Sequence, residues 1–166
     1  MAKRSGVSES LRWIEGYERL AEMAAQLPSR LVYLADREAD IMALMVRARD
    51  LGTPLDWLLR SQHNRTLNEA GKLWSRVTAG ESVGEIRFTL ASRKGQRARE
   101  VVQQVWAQAV QLPDGQGGWV QATCIVAREM EPPAGDKPVQ WRLLTKLPVT
   151  SLEEAARMID WYRARW

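Results

Sequence analysis

The sequence contains few of the residues on which many enzyme classes depend. Cys124 is the single cysteine and His63 the single histidine. A lone cysteine excludes an internal disulfide and a cysteine-based zinc site, and one histidine gives little support to a catalytic triad. No apolar run approaches the roughly 20 residues of a membrane span, and the basic start, Met-Ala-Lys-Arg-Ser-Gly, is followed by polar residues rather than by the apolar region of a signal peptide. These absences predict a cytoplasmic protein.

Positive charge is concentrated in one part of the chain. Residues 60–99 contain nine Lys or Arg and three Glu, a balance of +6, although the net charge of the whole chain is +4. Everything outside this range therefore sums to −2. Such asymmetry is typical of a module that contacts a polyanion, but an ordinary solvated loop produces the same pattern. Charge alone does not separate these two interpretations.

Residues 31–40 are the most informative stretch. Its first five residues are apolar, too short a run for a helix, and they predict a strand that is buried on both faces and ends at Asp36. The next apolar residues follow helical spacing, with Glu38 and Asp40 in the expected first turn. Asp36 is therefore predicted at the carboxyl end of a buried strand, where open α/β sheets place ligands and metals. A helix N-cap would also need only a short oxygen acceptor here, so both interpretations stay open.

A second short apolar run, residues 57–59, predicts another buried strand, reached from the first by a β-α-β crossover. The polar residues Arg60, His63 and Arg65 come directly after it. They are therefore expected at the same sheet edge as Asp36, and their chemistry suits contact with phosphate. The alternative interpretation is an ordinary polar loop.

Helices are predicted near both ends of the chain. The first is an amphipathic helix over residues 8–27, with Ser8 or Ser10 as its cap. The second begins with a capping box, in which the Ser151 hydroxyl bonds to the amide of Glu154 and the Glu154 carboxylate reaches back. Helical spacing puts the following residues on one face of this second helix: Leu152, Ala155, Ile159, Tyr162 and Trp166. A core-packing stripe is enough to explain that face.

Between these helices the pattern is typical of β structure. Alternation predicts a half-buried strand over residues 86–90, followed by a basic turn at residues 93–99. Residues 101–112 fit helical spacing about as well as alternation, but their β-branched content and the turn before a clear strand at 119–127 favour a hairpin. A further strand is predicted over residues 141–145.

Four segments, in order, resemble the DDE transposases of the insertion-sequence-four family, members of the retroviral-integrase superfamily. Residues 36–40, Asp-Arg-Glu-Ala-Asp, resemble the surroundings of the family's second catalytic aspartate, and Arg60-Ser61-x-His63 resembles its Arg-Ser-x-His segment. Residues 138–145, Pro-Val-Gln-Trp-Arg-Leu-Leu-Thr, are also similar. Tyr162 and Arg165 fit the first two members of the family's signature of Tyr, Arg, Glu and Lys on one helix.

The resemblance implies an α/β fold with a partial RNase H-like core. Residues 1–60 would form the first part of that core, residues 61–147 an antiparallel β insertion domain, and residues 148–166 the start of the C-terminal catalytic helix. Family members cut DNA at transposon ends with two Mg²⁺ or Mn²⁺ ions, which carboxylates hold because these hard ions prefer oxygen ligands. A bacterial, cytoplasmic protein is expected, with DNA as partner and with a homodimer possible at full length.

The resemblance implies that Asp36 is a catalytic residue and a metal ligand. It also implies that Trp141 stacks on a flipped base and that Tyr162 and Arg165 hold phosphates near the cleaved strand; a core position is the alternative for Trp141. Together, the basic pattern and the resemblance predict the following DNA-binding residues: Arg60, His63, Arg65, Arg93, Lys94, Arg97, Arg99, Trp141, Tyr162 and Arg165.

The sequence departs from the family pattern at two places. No aspartate precedes Asp36, and the glutamate of the helical signature would fall beyond Trp166. We therefore expect a truncated transposase fragment that is catalytically incomplete and does not hold Mg²⁺ by itself. Two alternatives stay open: a DNA-binding or interfering module without chemistry, and an unrelated soluble α/β protein in which Asp36 caps a helix and the face of Tyr162 packs in the core.

Overall fold

A computed structural model describes residues 2–36, 41–67, 71–92, 94, 95 and 97–165, with the backbone alone for residues 2–9 and 165. The described residues combine a curled six-stranded sheet with four helices. Within these residues the helices are α1 Ala2–Ala24, α2 Met42–Asp50, α3 Leu73–Thr78 and α4 Leu152–Arg165. The strands are β1 Val32–Ala35, β2 Asp56–Arg60, β3 Thr66–Leu67, β4 Gly71–Lys72, β5 Gly84–Leu90, β6 Arg99–Pro113, β7 Trp119–Glu129 and β8 Gln140–Thr145.

The large sheet has the strand order β1-β2-β8-β7-β6-β5. β1 and β2 are parallel, from Val32 opposite Asp56 to Ala35 opposite Leu59, and α2 connects them. The predicted β-α-β crossover is therefore confirmed. All other neighbouring strands of this sheet are antiparallel. Because β8 pairs with β2 on one side and β7 on the other, strands from the predicted core and the predicted insertion share one sheet, and the domain boundaries stay a prediction.

Residues 101–112 form a strand, as predicted, rather than a helix. They lie in β6, whose residues 103–113 pair with β7, from Gln103 opposite Glu129 to Pro113 opposite Trp119. The connecting turn is fixed by Asp114, whose carboxylate accepts hydrogen bonds from the amides of Gln116 at 2.8 Å and Gly118 at 3.0 Å. Cross-strand pairing therefore decides a segment whose own periodicity is ambiguous.

The first helix differs from its predicted bounds. α1 begins at Ala2, so Ser8 and Ser10 lie inside the helix and neither caps it. The helix can include both serines because a serine inside a helix costs only a few tenths of a kcal/mol more than the best helix formers. It ends at Ala24 rather than Leu27, where the chain tightens into i→i+3 hydrogen bonds. None of the helices in the described part of the chain is both long and apolar enough to cross a lipid bilayer.

Two other helices also depart from the prediction. α2 begins at Met42, and its N-cap is Ile41 in an extended conformation, so Asp36 does not cap this helix. Glu38 and Asp40, expected in its first turn, lie outside the described residues. α3 was not predicted; it follows the short β3–β4 hairpin and buries Leu73 and Val77, which are one helical turn apart.

The two faces of the large sheet bury separate apolar clusters. Trp57 and Leu59 of β2 belong to the cluster that includes residues of α1, α2 and α3. Leu58, between them, belongs to the cluster that includes Ile159 and Tyr162 of α4. The alternation of β2 therefore places apolar side chains on both faces, as the uninterrupted apolar run predicts. Each large side chain buried in this way stabilises the fold by about 1.5–3 kcal/mol.

Tyr17 joins α1 to the start of β2. Its hydroxyl donates a 2.6 Å hydrogen bond to the backbone carbonyl of Leu55. Its ring packs edge to face on the ring of Tyr33, with the two ring centroids 5.6 Å apart. Burial raises the pKa of Tyr17 from 10.0 to about 12. The neutral phenol is therefore the form that the folded protein favours.

We expect Tyr17→Phe to lower the free energy of unfolding by about 1–3 kcal/mol at neutral pH, since the Leu55 carbonyl would be buried without its donor. The folded state holds the Tyr17 proton more tightly than the unfolded chain, so the stabilisation by Tyr17 is complete below pH 10 and is lost as the pH rises through about 12. Urea unfolding of both proteins between pH 7 and pH 12 measures this. A stability difference that stays constant up to pH 12 would contradict the assignment.

Candidate nucleic-acid-binding cleft

Asp36 and Arg60 occupy matching positions at the carboxyl edge of the parallel pair β1–β2. The last paired residues are Ala35 and Leu59, and Asp36 and Arg60 directly follow them. Both are partly buried. The crossover thus brings Asp36, just after β1, and Arg60, the last residue of β2, to the same sheet edge, as the sequence predicts.

A cleft of about 650 Å³ opens between α4 and the sheet beside this edge. Arg60 lines it from the end of β2, Trp141 from β8 and Tyr162 from α4. These are three of the predicted DNA-binding residues, and they come from three separate segments of the sequence. The remaining lining residues are Phe88, Thr89, Leu90, Ala91, Asp160, Arg163 and Ala164.

Aromatic and cationic groups form one wall of the cleft. The rings of Phe88 and Trp141 are stacked, with centroids 5.2 Å apart and an interplanar angle of 23°. The Arg163 guanidinium lies 4.1 Å from the Phe88 centroid and 5.6 Å from that of Trp141. Trp141 is partly buried and also packs against the α4 cluster. Trp141 therefore packs against the core, as one interpretation predicts, and also lines a cleft with its aromatic ring, as the stacking interpretation requires.

Sequence reasoning missed Phe88 and Arg163 as members of this wall. The alternation of β5 predicts which face Phe88 takes, but not that Trp141 lies beside it. Arg163 directly follows Tyr162, which was the available signal, and its position over the rings depends on how α4 crosses the sheet. Its nearest carboxylate in the described residues, Asp160, is 3.9 Å away, at the limit of an ion pair.

α4 is fixed by the capping box that the sequence predicts. The Glu154 amide donates to the Ser151 hydroxyl oxygen at 3.2 Å, and that hydroxyl donates to the Glu154 carboxylate at 3.1 Å. The predicted apolar face is buried at Ala155, Ile159 and Tyr162, the last only 3% exposed. The side chain of Arg165 and the whole of Trp166 lie outside the described residues, so the prediction for Arg165 is not tested.

The loop after β2 is tied to both β8 and α3. The Ser61 amide donates to the carbonyl of Arg142 at 2.7 Å, and the Ser61 hydroxyl accepts a 3.0 Å hydrogen bond from the indole of Trp74. Ser61 is therefore buried, whereas His63 is exposed and Arg65 is partly buried. The serine, which the sequence offered only as part of a motif, has a structural role that fixes where the loop begins.

The basic residues of the turn at 93–99 differ in exposure and in their partners. Lys94 and Arg97 are exposed, and Arg93 lies outside the described residues. Arg99, by contrast, donates a 2.6 Å hydrogen bond to Glu129, whose side chain is 2% exposed, and lies 3.7 Å from Asp136. The bond to Glu129 raises the pKa of Arg99. Its charge is compensated within the protein, so these surroundings do not favour the predicted phosphate contact of Arg99.

The described residues do not by themselves fit a two-metal site. They contain no group of three or more His, Cys, Asp or Glu side chains placed to share a metal ion. Two-metal phosphoryl transfer needs several carboxylates that converge on ions about 3.5–4 Å apart. Asp36 stands at the expected edge, but the predicted Mg²⁺ site as a whole stays a prediction.

No protein-family model matches the chain. The resemblance to the insertion-sequence-four transposases therefore depends on the motifs and their order.

We expect Arg99→Ala to lower the melting temperature clearly, because it leaves the Glu129 carboxylate buried without its cation. The matched variants Lys94→Ala and Arg97→Ala remove exposed charges from the same turn and should change the free energy of unfolding by no more than about 0.5 kcal/mol. Thermal unfolding of the three variants is the measurement. Equal and small effects of all three would show that Arg99 is as available to a ligand as its neighbours.

Proposed function

We propose that this chain is part of a DDE transposase of the insertion-sequence-four family and that its cleft holds a DNA strand. The observation that carries the proposal is the meeting of Arg60, Trp141 and Tyr162 in one cleft. Their segments resemble three different motifs of that family and are far apart in the sequence. An unrelated protein has no evident reason to bring all three to one place.

The chemistry of the cleft supports a nucleic-acid ligand. Arg60 offers a planar guanidinium that can donate two parallel hydrogen bonds to a phosphate. The Phe88–Trp141 pair, with Arg163 beside it, offers apolar and cationic surface to an unpaired base, and stacking of this kind is worth about 1–3 kcal/mol per base. A strand could therefore be held by its backbone at Arg60 and by a base at the aromatic wall.

The fold is consistent with an RNase H-like core, which is part of the proposal. Its supporting features are the parallel pair β1–β2 with Asp36 at the carboxyl edge, and α4 packed on the sheet beside that edge. The antiparallel strands β5, β6 and β7 would then belong to an insertion domain. In this proposal Asp36 is the counterpart of the family's second catalytic aspartate.

We propose DNA binding, without cleavage, for the chain alone. Family members cleave with metal ions held by three carboxylates, and the described residues do not supply such a set. Binding depends instead on arginine and aromatic side chains that are present. The two properties are separable, because phosphate contacts and base stacking need no metal.

The proposal is tested by fluorescence anisotropy with two labelled duplexes of equal length, one blunt and one with an unpaired base at its end. Arg60→Gln should make the slope of log affinity against log salt less steep by about 0.9 on both duplexes, since one phosphate contact is lost. Trp141→Ala should weaken binding roughly 5- to 150-fold on the duplex with the unpaired base and much less on the blunt one.

Trp119→Ala is the matched control, because Trp119 is a 52% exposed tryptophan that does not line the cleft. Trp141→Ala also loses the stack on Phe88, so its melting temperature sets the temperature for the binding assay. The proposal fails if the wild type binds neither duplex. It also fails if Trp141→Ala and Trp119→Ala weaken binding to the two duplexes equally.

A further inference from the structure

Three arginines near the end of β2 have no carboxylate partner within the described residues. They are Arg60 on β2, Arg128 on β7 and Arg142 on β8, and none of them forms an ion pair within 4.0 Å there. Some arginines of the described residues are paired, as Arg99 is with Glu129, and others, such as the exposed Arg12 and Arg97, have no ion pair there. Arg60, Arg128 and Arg142 differ from the exposed ones because they lie close enough together for the charges of Arg60 and Arg128 to oppose that of Arg142.

Arg142 is the most constrained of the three. Its guanidinium carbon lies 3.9 Å from the centroid of the Trp74 ring, and its Nε is buried with no hydrogen-bond partner in the described residues. Burial lowers the pKa of Arg142, and the charges of Arg128 and Arg60 lower it further. The stack on Trp74 stabilises the cation, but the unbonded Nε, the burial and the neighbouring positive charges oppose it, and a nearby anion would relieve these three.

The indoles under these arginines are held in place. Trp74 donates its indole N–H to Ser61 and its amide to Asn64 at 2.9 Å. Arg128 lies 5.0 Å from the ring of Trp106, which is buried and donates its indole N–H to the carbonyl of Gly80 at 3.2 Å. Two guanidiniums are thus stacked on fixed aromatic rings, so little of their freedom remains to be lost when a ligand binds.

Arg142 and Arg60 line a small pocket of about 190 Å³, which we name the arginine pocket. Its other lining residues are Ser61, Gln62, Trp74 and Gln140. No carboxylate is among them, and their guanidinium and side-chain amide groups are hydrogen-bond donors. The volume is several times the roughly 30 Å³ that one water occupies in the liquid, which leaves room for a tetrahedral oxyanion.

We propose that the arginine pocket binds a phosphate oxyanion. This phosphate belongs to the backbone of the bound DNA strand, a step that rests on the proposed function. Arg60 lines both the large cleft and the arginine pocket. Trp141 packs with the α4 cluster, whereas Arg142, the next residue of β8, lies over Trp74 of the other cluster, so the two spaces lie on opposite faces of the sheet and share Arg60 at the end of β2. The proposed strand would therefore pass around the end of β2 at Arg60 to reach Arg142. The pocket adds Arg142, with Trp74 as its support, to the residues that hold DNA.

A purely structural role is the competing explanation, since an arginine stacked on a tryptophan stabilises a fold without any ligand. That role does not explain why Arg60 and Arg128 are held near Arg142, where their charges oppose its own. It also predicts that loss of Arg142 changes stability and leaves anion binding unchanged. The two explanations therefore differ in a measurable way.

The experiment uses the full chain, labelled with ¹⁵N, and two probes: inorganic phosphate and a short DNA duplex. We expect both probes to shift the Arg142 Nε–H and Trp74 indole resonances saturably, while the indole resonance of the exposed Trp119 stays in place. Arg142→Gln should lose the phosphate-dependent shift of Trp74. It should also weaken DNA binding about tenfold or more and make the salt slope less steep by about 0.9.

Arg12→Gln is the matched control, because Arg12 is an exposed arginine on α1 and its loss changes the net charge equally. If Arg142→Gln does not fold, Arg142→Lys replaces it; this variant keeps the charge but loses the planar fork, and it should retain only part of the phosphate response. Melting temperatures of all variants are measured in parallel.

The outcomes separate the two proposals. If phosphate shifts Arg142 and Trp74 but the chain binds no DNA, the arginine pocket stands as a site for free phosphate and the proposed function fails. If DNA binds, but phosphate leaves both resonances unchanged and Arg142→Gln weakens binding no more than Arg12→Gln, the arginine pocket is overturned and the proposed function stands.

Discussion

The rest of the structure depends on how β2 is held. This five-residue strand pairs in parallel with β1 and antiparallel with β8, and its apolar residues enter the clusters on both faces of the sheet. Additional bonds fix its two ends: Tyr17 donates to Leu55 just before it, and the Ser61 amide just after it donates to Arg142. Because β2 is held on every side, Arg60 leaves the sheet at a defined place.

That place lies between two cationic environments. On one side Arg60 faces the cleft with Trp141 and Tyr162, and on the other it faces the arginine pocket with Arg142 and Trp74. Glu129 compensates the charge of Arg99, whereas no carboxylate lines the arginine pocket. We propose that a ligand with several phosphates, rather than a single small anion, occupies both environments.

Much of the fold was predictable because short-range patterns determine it. Two apolar runs, each ending in polar residues, predict the β1–α2–β2 crossover, and the Ser151 capping box predicts the start of α4. The missed features depend on contacts between distant segments. Whether Arg99 faces solvent or Glu129 is decided by the register of β6 on β7, and whether Trp74 lies beneath Arg142 is decided by the path of the chain through α3. Nothing in the local sequence of either arginine distinguishes these outcomes.

Three members of the cleft were predictable from the sequence, but its other members and its geometry were not. Arg60, Trp141 and Tyr162 were identified from segments that resemble one family, whereas Phe88 and Arg163 enter the site because β5 and α4 approach each other across the sheet. For Asp36, the sequence predicted the position correctly but left its role open. Its position after a strand was correctly predicted, and the interpretation as a cap of α2 was wrong because that helix begins only at Met42.

The central claim is that three distant segments of the chain bind one DNA strand together. Hydrogen–deuterium exchange of the chain with and without a saturating short duplex tests it most directly, since each segment gives its own peptides. We predict that DNA slows exchange together at residues 60–65, 140–145 and 158–165, while residues 10–24 of α1 remain unchanged. Slower exchange confined to the exposed turn at residues 94–98, or no change in any of the three segments, would contradict the account.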